Sequence, residues 1–489
     1  MAKTLRNLAP TLGPSGRHDG ARTAARLAGS AWCGDGVVTA TAEFRRWYAE
    51  RESIDVAEVQ RIPLSSLEGW ETLPGSGNIA HRSGRFFTVE GLEVRSPGAP
   101  VPAWQQPIIN QPEIGILGIL AREFDGVLHF LMQAKNEPGN CNGVQLSPTV
   151  QATRSNYTRV HGGNSVPYLE YFQAASRHRV QVDVLQSEQG SWFFRKRNRN
   201  IVVEVEEDVE VLDGFRWLTL GQLHGLLAID DLVNMDARTV LACLPFAGPG
   251  QAGASSAADD GLGGAIRRSC DEEVGSLHTL GEVQSWITEA RAGAELRTAT
   301  LPLGELKGWS RSEYAISHED GLYFDIMAVE VKAGSREVSR WTQPMIEPRG
   351  TGIVAFLVTR IDGVLHVLVQ PYVRPGHPDA VELGPTVQCT PGNYAQDALP
   401  ARLRFLPAVR EAAPERVLFD TTLSEEGGRF FHARNRYMVV ETDAGPELED
   451  PLFRWVTLHQ VAGLLRHAHY LNIEARSLIA CLHSLIGRS

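Results

Sequence analysis

The sequence predicts an α+β protein made by tandem duplication, with strands in the middle of each copy and helices at its ends. The first observation is internal repetition. The segment from Trp104 to Arg199 recurs from Trp341 to Arg436 at a constant spacing of 237 residues. Between Asp125–Tyr157 and Asp362–Tyr394, 18 of 33 positions are identical. The second observation is the grammar of each copy. Hairpin signals are flanked by helical patterns, without regular βαβ alternation. The third is length, since 489 residues suit two domains of about 200.

The elements follow in order. Residues 1–40 are rich in Ala, Gly, Arg and Ser with weak periodicity, so a poorly ordered tail is expected. The first repeat is assigned to 41–247, a Gly/Ala/Ser-rich linker to 248–275 and the second repeat to 276–489. Each repeat opens with a helix, Phe44–Glu52 and Val283–Ala290. Gly69-Trp70 and Gly308-Trp309 follow, then a Trp-x-Gln-Pro motif at Trp104–Pro107 and Trp341–Pro344. Apolar strands Gly115–Phe124 and Gly352–Ile361 lead into Asp125-Gly126 and Asp362-Gly363, the dipeptide favoured in tight two-residue turns. The return strands, Val127–Gln133 and Val364–Gln370, alternate imperfectly, which suits strands covered on both faces.

A Pro-Gly loop (Pro138-Gly139, Pro375-Gly376) then leads to Pro-Thr-Val-Gln at Pro148–Gln151 and Pro385–Gln388. A later strand carries Phe-Phe-x-x-Arg-Asn-Arg. Each repeat closes on Phe-Arg-Trp and two helices. Asn234 and Asn472 read as N-caps of the last helix, with Asp236 and Glu474 in its first turn, where an acid suits the helix dipole.

With 43% hydrophobic and 21% charged residues, the chain reads as an ordinary soluble globular protein. No apolar run reaches the roughly 20 residues that span a bilayer, and no apolar stretch marks a secretory signal, so no membrane partner is expected and the cytoplasm is the expected location. Six cysteines without CxxC spacing argue against a disulfide framework or a structural zinc. Cys243 and Cys481 read as core thiols. The net charge of −11 disfavours nucleic acid as a partner, because backbone binding needs a basic footprint. No dinucleotide fingerprint, Walker loop, HExxH or GxSxG occurs, so no cofactor and no metal are expected.

Two clusters could carry chemistry. Strand alternation puts Arg195, Arg197 and Arg199 on one face, with Lys196 and Asn198 on the other. Planar guanidinium forks suit phosphate; an exposed face paired to nearby carboxylates explains the same string. The second cluster is Gln151-x-Thr153-x-x-Asn156-Tyr157, mirrored by Gln388-x-Thr390-x-x-Asn393-Tyr394. These neutral donors and acceptors suit sugar hydroxyls and base edges, and they also suit turns. Trp70 and Trp309 suit stacking on a base or packing in the core. His129 and His366 read as structural.

The doubled architecture, Trp-x-Gln-Pro, Pro-Thr-Val-Gln, Asn-Tyr and Phe-Phe-x-x-Arg-Asn-Arg together resemble the NDP-hexose 2,3-dehydratases of deoxysugar biosynthesis. The resemblance runs from about Glu43 onward and implies two Nudix-like mixed-sheet domains with flanking helices, although neither half holds a Nudix box. It implies a homodimer. It implies dTDP-4-keto-6-deoxy-glucose as substrate, loss of the C2 hydroxyl and C3 proton as water, and a ketoreductase that acts next on the labile 3,4-diketo product. The implied grip comprises Trp70, Gln151, Thr153, Arg154, Ser155, Asn156, Tyr157, Ser191, Arg197 and Asn198. In the second repeat it comprises Trp309, Gln388, Thr390, Pro391, Gly392, Asn393, Arg429, Arg434 and Asn435. Repeat two holds more side chains able to exchange a proton near neutral pH, which points to Tyr394 as acid or enolate donor and His432 or Glu382 as base. A non-catalytic nucleotide-sugar sensor and a Nudix-type nucleotide-sugar hydrolase are the competing readings.

Overall fold

The computed structural model describes residues 14–97, 101–153, 166–245, 261–334, 339–395 and 399–487. Four sheets and ten α-helices lie among them. Repeat one holds β1 (Ala57–Ile62), β2 (Trp70–Thr72), β3 (Ile79–His81), β4 (Thr88–Arg95) and β5 (Ala103–Asn110). It continues with β6 (Gly115–Phe124), β7 (Val127–Asn136), β8 (Val144–Ser147), β9 (Val150–Ala152), β10 (Arg179–Ser187), β11 (Arg197–Glu204) and β12 (Phe215–Thr219). Repeat two holds β13 (Arg297–Leu301), β14 (Trp309–Arg311), β15 (Ala315–His318), β16 (Phe324–Ala333) and β17 (Arg340–Pro348). There follow β18 (Gly352–Ile361), β19 (Val364–Val373), β20 (Val381–Gly384), β21 (Val387–Cys389), β22 (Val417–Ser424), β23 (Arg434–Glu441) and β24 (Arg454–Val456).

Each repeat has a seven-stranded mixed sheet. In repeat one the order is β10-β11-β6-β7-β12, with β8 on β7 and β9 on β6; β11 and β6 run parallel and the other pairs antiparallel. Repeat two repeats it as β22-β23-β18-β19-β24 with β20 and β21. The Asp-Gly turns are as expected: Asp125 and Gly126 have φ of 48° and 81°, Asp362 and Gly363 of 50° and 79°. Along β6, Leu117, Ile119 and Ala121 enter one core and Ile116 and Leu120 another, so both faces are covered. Asn234 and Asn472 cap the last helices by accepting from the N–H of Ala237 and Ala475. Of the two thiols, Cys481 is fully buried and Cys243 half-buried.

Two expectations need correction. Residues 1–40 are not simply a tail, because Pro14–Trp32 is a helix. Its Ala24, Leu27 and Ser30 are buried at i, i+3, i+6 spacing, and small residues made that stripe hard to see. Arg26 bonds Glu204 and Glu123, and Ser30 Oγ donates to the Leu128 carbonyl. Within the expected linker, Leu262–Ser269 is the matching helix, with Ala265 and Ile266 buried. The match extends to single bonds: the N–H of Leu220 donates to Ser30 Oγ, and that of Leu458 to Ser269 Oγ. Each structural unit therefore begins one helix earlier than the sequence pattern indicated.

The repeats are also not separable. β1 of repeat one pairs with β16 of repeat two, and β13 of repeat two pairs with β4 of repeat one. This exchange completes two five-stranded sheets. Indoles tie the crossover: Trp70 Nε1 donates to the Thr342 carbonyl at 2.9 Å and Trp309 Nε1 to the Gln105 carbonyl at 2.8 Å. Trp70, Phe87 and Phe193 share one core with Trp309, Phe324 and Phe430.

Candidate active site

A cleft of about 780 Å³ opens in repeat one. Its wall is composite: Lys135, Glu137, Gln151, Glu188, Lys196, Asn198 and Asp236 come from repeat one, and Gln343, Glu426 and Arg429 from repeat two. The Trp-x-Gln-Pro motif explains how repeat two reaches in. Trp341 Nε1 donates to Gln343 Oε1, and Gln343 Nε2 donates to the Gly428 carbonyl, pinning the loop that carries Glu426 and Arg429. Trp104, Gln106 and the Ser191 carbonyl do the same on the other side.

Close backbone contact fixes the same loops. The N–H of Gly139 donates to the Gly427 carbonyl, and the N–H of His432 to the Gly139 carbonyl. A Cβ at Gly139 would stand 1.8 Å from the Phe430 carbonyl oxygen, so only glycine fits. Gly376 meets Phe193 in the same way, and the N–H of Arg195 donates to its carbonyl. Arg195 and His432 hold φ of 52° and 51°. Their recurrence reflects a left-handed backbone position that locks one repeat onto the other.

The cleft concentrates ionisable groups with little solvent. Glu188 is 3% exposed and Lys196 4%. Burial pushes the Glu188 carboxyl up to about 7, opposed by Arg476 and Lys196. Burial brings Lys196 down to about 8, opposed by Glu188. Burial and neighbouring carboxylates, Glu188 and Glu426 among them, raise Asp236 well above its ordinary value. Burial also raises Glu426, and Arg429 opposes it. Lys135 pairs with Glu137 at 2.9 Å. Asn198 Nδ2 donates to Glu188 Oε1 at 2.7 Å. Glu188 Oε2, Asp236 Oδ1, Glu426 Oε2 and Arg429 Nε are buried without a partner. Buried polar atoms are nearly always satisfied, so four orphans around one open cleft suit a polar ligand there.

At the equivalent place in repeat two the carboxylate is saturated. Glu425 stands where repeat one has Glu188, but it accepts from Asn435 at 2.6 Å, Tyr437 at 2.8 Å and Gln189 at 2.9 Å. Ala433 replaces Lys196 and Tyr372 replaces Lys135. The Tyr372 hydroxyl donates to the Gln388 carbonyl, and Arg374 lies over its ring at 4.0 Å.

The expected site residues divide accordingly. Trp70, Gln151, Thr153, Asn198 and Arg429 line the cleft. Arg154, Ser155, Asn156 and Tyr157 lie outside the described residues. Trp70 and Trp309 are core residues, 6% and 8% exposed, with their N–H groups already used; Trp70 also lines the cleft. Ser191 serves through its carbonyl. The expected alternation starts only at Arg197, because Arg195 lies in a left-handed bend before the strand; of this string, Lys196 and Asn198 line the cleft. Arg197 is exposed. Arg199 and Arg436 make two-pronged pairs with Asp183 and Asp420 on the adjacent strands, and Arg434 pairs with Asp231 of repeat one at 2.5 Å. Gln388 Oε1 accepts from Asn472, and Asn435 donates to Glu425 in repeat two. Thr390, Pro391, Gly392 and Asn393 form a short 3-10 turn whose Asn393 Oδ1 accepts from the N–H of Tyr323.

Tyr394, His432 and Glu382 keep separate company. The Tyr394 hydroxyl accepts from Arg402 at 2.9 Å. His432 is exposed and stacks on Phe431. Glu382 is fully buried, accepts from Ser187 Oγ at 2.6 Å and has His377 at 3.9 Å. The groups that sequence reasoning passed over, Glu188 and Glu426, lie in loops of ordinary composition. Asp236 read only as a helix-dipole acid. The usable signal was Lys196 against Ala433 and Lys135 against Tyr372.

Comparison with known proteins agrees with the duplicated plan. The sequence model of the family described as NDP-hexose 2,3-dehydratase matches residues 41–244 and again 280–482. A dTDP-4-dehydro-6-deoxy-alpha-D-glucopyranose 2,3-dehydratase from Saccharopolyspora spinosa is 51% identical over 451 residues, 92% of this chain and 93% of that protein. Proteins of the same name from Amycolatopsis orientalis and Streptomyces violaceoruber are each 48% identical, covering 96% and 92% of this chain and 95% and 98% of their own lengths. With the family pattern matched in both repeats and relatives aligned along almost the whole chain, this protein belongs to the NDP-hexose 2,3-dehydratase family.

Proposed function

We propose that this chain eliminates water from dTDP-4-keto-6-deoxy-glucose in the repeat-one cleft. The observation that carries the assignment to this cleft is Glu188: a buried carboxylate beside a buried lysine, with one oxygen left open. The C4 ketone acidifies the C3 proton, so removing it gives an enolate. Glu188, with its affinity for protons raised to near neutrality, is the base. Lys196 supplies a positive donor for the enolate oxygen in a low-dielectric site. The C2 hydroxyl then leaves with a proton from Glu426 or Asp236, both held toward the neutral acid by burial. The C2–O bond breaks, a C2–C3 double bond forms, and tautomerisation of the enol yields the 3,4-diketo-2,6-dideoxy sugar.

Arg429, whose Nε lacks a partner, is the cation for the diphosphate; Gln151 and Thr153 are the neutral readers. We read each seven-stranded sheet with its helices as Nudix-like, and the protein as a cytoplasmic homodimer whose product passes to a ketoreductase. Among the described residues, no helix is long and apolar enough to cross a membrane. The test is incubation with the nucleotide sugar and hydride trapping of the product. Mass loss equal to one water supports the reading. Unchanged substrate, with binding intact, would favour a sensor.

A further inference from the structure

We propose that Arg476, on the last helix of repeat two, is a positioning residue for the cleft of repeat one, holding Glu188 in place and keeping its carboxylate usable as a base. This rests on the reading of Glu188 as the base.

The helix Ile473–His483 brings the Arg476 guanidinium to the rear of the cleft, fully buried. Nε donates to Thr239 Oγ1 at 2.7 Å, Nη1 to the Leu471 carbonyl at 2.6 Å and Nη2 to the Ser187 carbonyl at 2.5 Å. Ser187 directly precedes Glu188. All three of the Arg476 acceptors are neutral oxygens. A buried cation held only by neutral acceptors keeps its field for the groups around it. The charges facing Glu188 come from four directions: Lys196 on its own hairpin, Arg476 behind it, Glu426 on the opposing loop and Asp236 on the helix Met235–Ala242. Asn198 adds a neutral donor. Of the two cations, Arg476 acts more strongly on Glu188.

The pseudosymmetric partner is a built-in control. Arg238 is equally buried, donates to Ser477 Oγ at 2.5 Å, to the Val233 carbonyl at 2.5 Å and to the Ser424 carbonyl at 2.6 Å. Ser424 precedes Glu425, the saturated carboxylate of repeat two. The two arginines hold the fold in the same way, but only Arg476 faces the open carboxylate.

The experiment is the pH dependence of turnover on dTDP-4-keto-6-deoxy-glucose for Arg476→Gln, Arg476→Lys, Arg238→Gln, Arg238→Lys and Glu188→Gln, with Tm for each. Loss of the Arg476 charge is expected to move the acid limb upward by about one pH unit, tenfold at low pH and much less above the limb. Arg476→Lys, whose charge is drawn back from Ser187, is expected to move it less in the same direction. The Arg238 variants are expected to lose comparable Tm and leave the limb in place. Should Arg476→Gln fail to fold, Arg476→Lys against Arg238→Lys decides. Limbs that coincide with the unaltered protein, or that move equally for both arginines, overturn the proposal. An active Glu188→Gln would instead remove the reading beneath it.

Discussion

Asn198 donates to Glu188 across 2.7 Å, and Asn435 makes the same bond to Glu425 across 2.6 Å. The duplicated pair is the same; its surroundings differ. Tyr437 and Gln189 complete the shell of Glu425, whereas Asn200 occupies the Tyr437 position in repeat one and Glu188 keeps a free oxygen. The open carboxylate is thus confined to one member of this pair by what was added around the other.

The pH profile follows from the two central groups. Glu188 must be ionised to act as base, and its value is raised to about 7, so activity is lost as pH falls through that region. Lys196 must be protonated, and its value is lowered to about 8, so activity is lost as pH rises through it. A narrow bell centred between the two is expected for kcat/KM, which reports the free enzyme, its limbs belonging to the coupled cluster. A flat profile from pH 6 to 9 would disagree.

The left-handed backbone at His432 gives a stability prediction. His432→Val puts a β-branched residue at φ 51° and should cost about 1–2 kcal/mol in denaturant unfolding. His432→Gly should be neutral or slightly stabilising. Turnover should stay within about threefold for His432→Gly, since the residue reaches the Gly139 loop through its backbone N–H and its ring stacks only on Phe431.

Gly139→Ala should lower both stability and activity. The added methyl would meet the Phe430 carbonyl, and relief must shift the loop that carries Glu426 and Arg429. A loss of about 3 kcal/mol, the upper end for overpacking, is expected from chemical denaturation. Wild-type stability would show that the loops part easily.

The exchanged strands predict behaviour on cleavage. A protease site inserted between residues 250 and 258, once cut, should leave two chains that co-elute in gel filtration and keep turning over. β1 and β13 each pair in the other repeat's sheet, and Trp70 and Trp309 lock them there. Separation into two folded halves would contradict the exchange.

Much of the plan was legible in the chain. Asp125-Gly126 and Asp362-Gly363 fixed the hairpins, and Asn234 and Asn472 fixed the last helices, because these are local signals. The exchange of β1 and β13 was not legible, since pairing partners carry no local mark. The helix Pro14–Trp32 was hidden by its small apolar residues. The arginine string misled for a physical reason: alternation defines two faces but not which one meets the cleft. Asp183 and Asp420, on neighbouring strands, claim Arg199 and Arg436. Arg429 was anticipated as a binder, yet its placement in the other repeat's cleft depends on a tertiary crossing.

The most direct test compares turnover of Glu188→Gln and Glu382→Gln on dTDP-4-keto-6-deoxy-glucose, with dTDP binding measured in parallel. Loss of a general base predicts a fall of about 100-fold or more for Glu188→Gln, with binding retained and Glu382→Gln within about threefold. An active Glu188→Gln beside an inactive Glu382→Gln would place the chemistry in the other repeat.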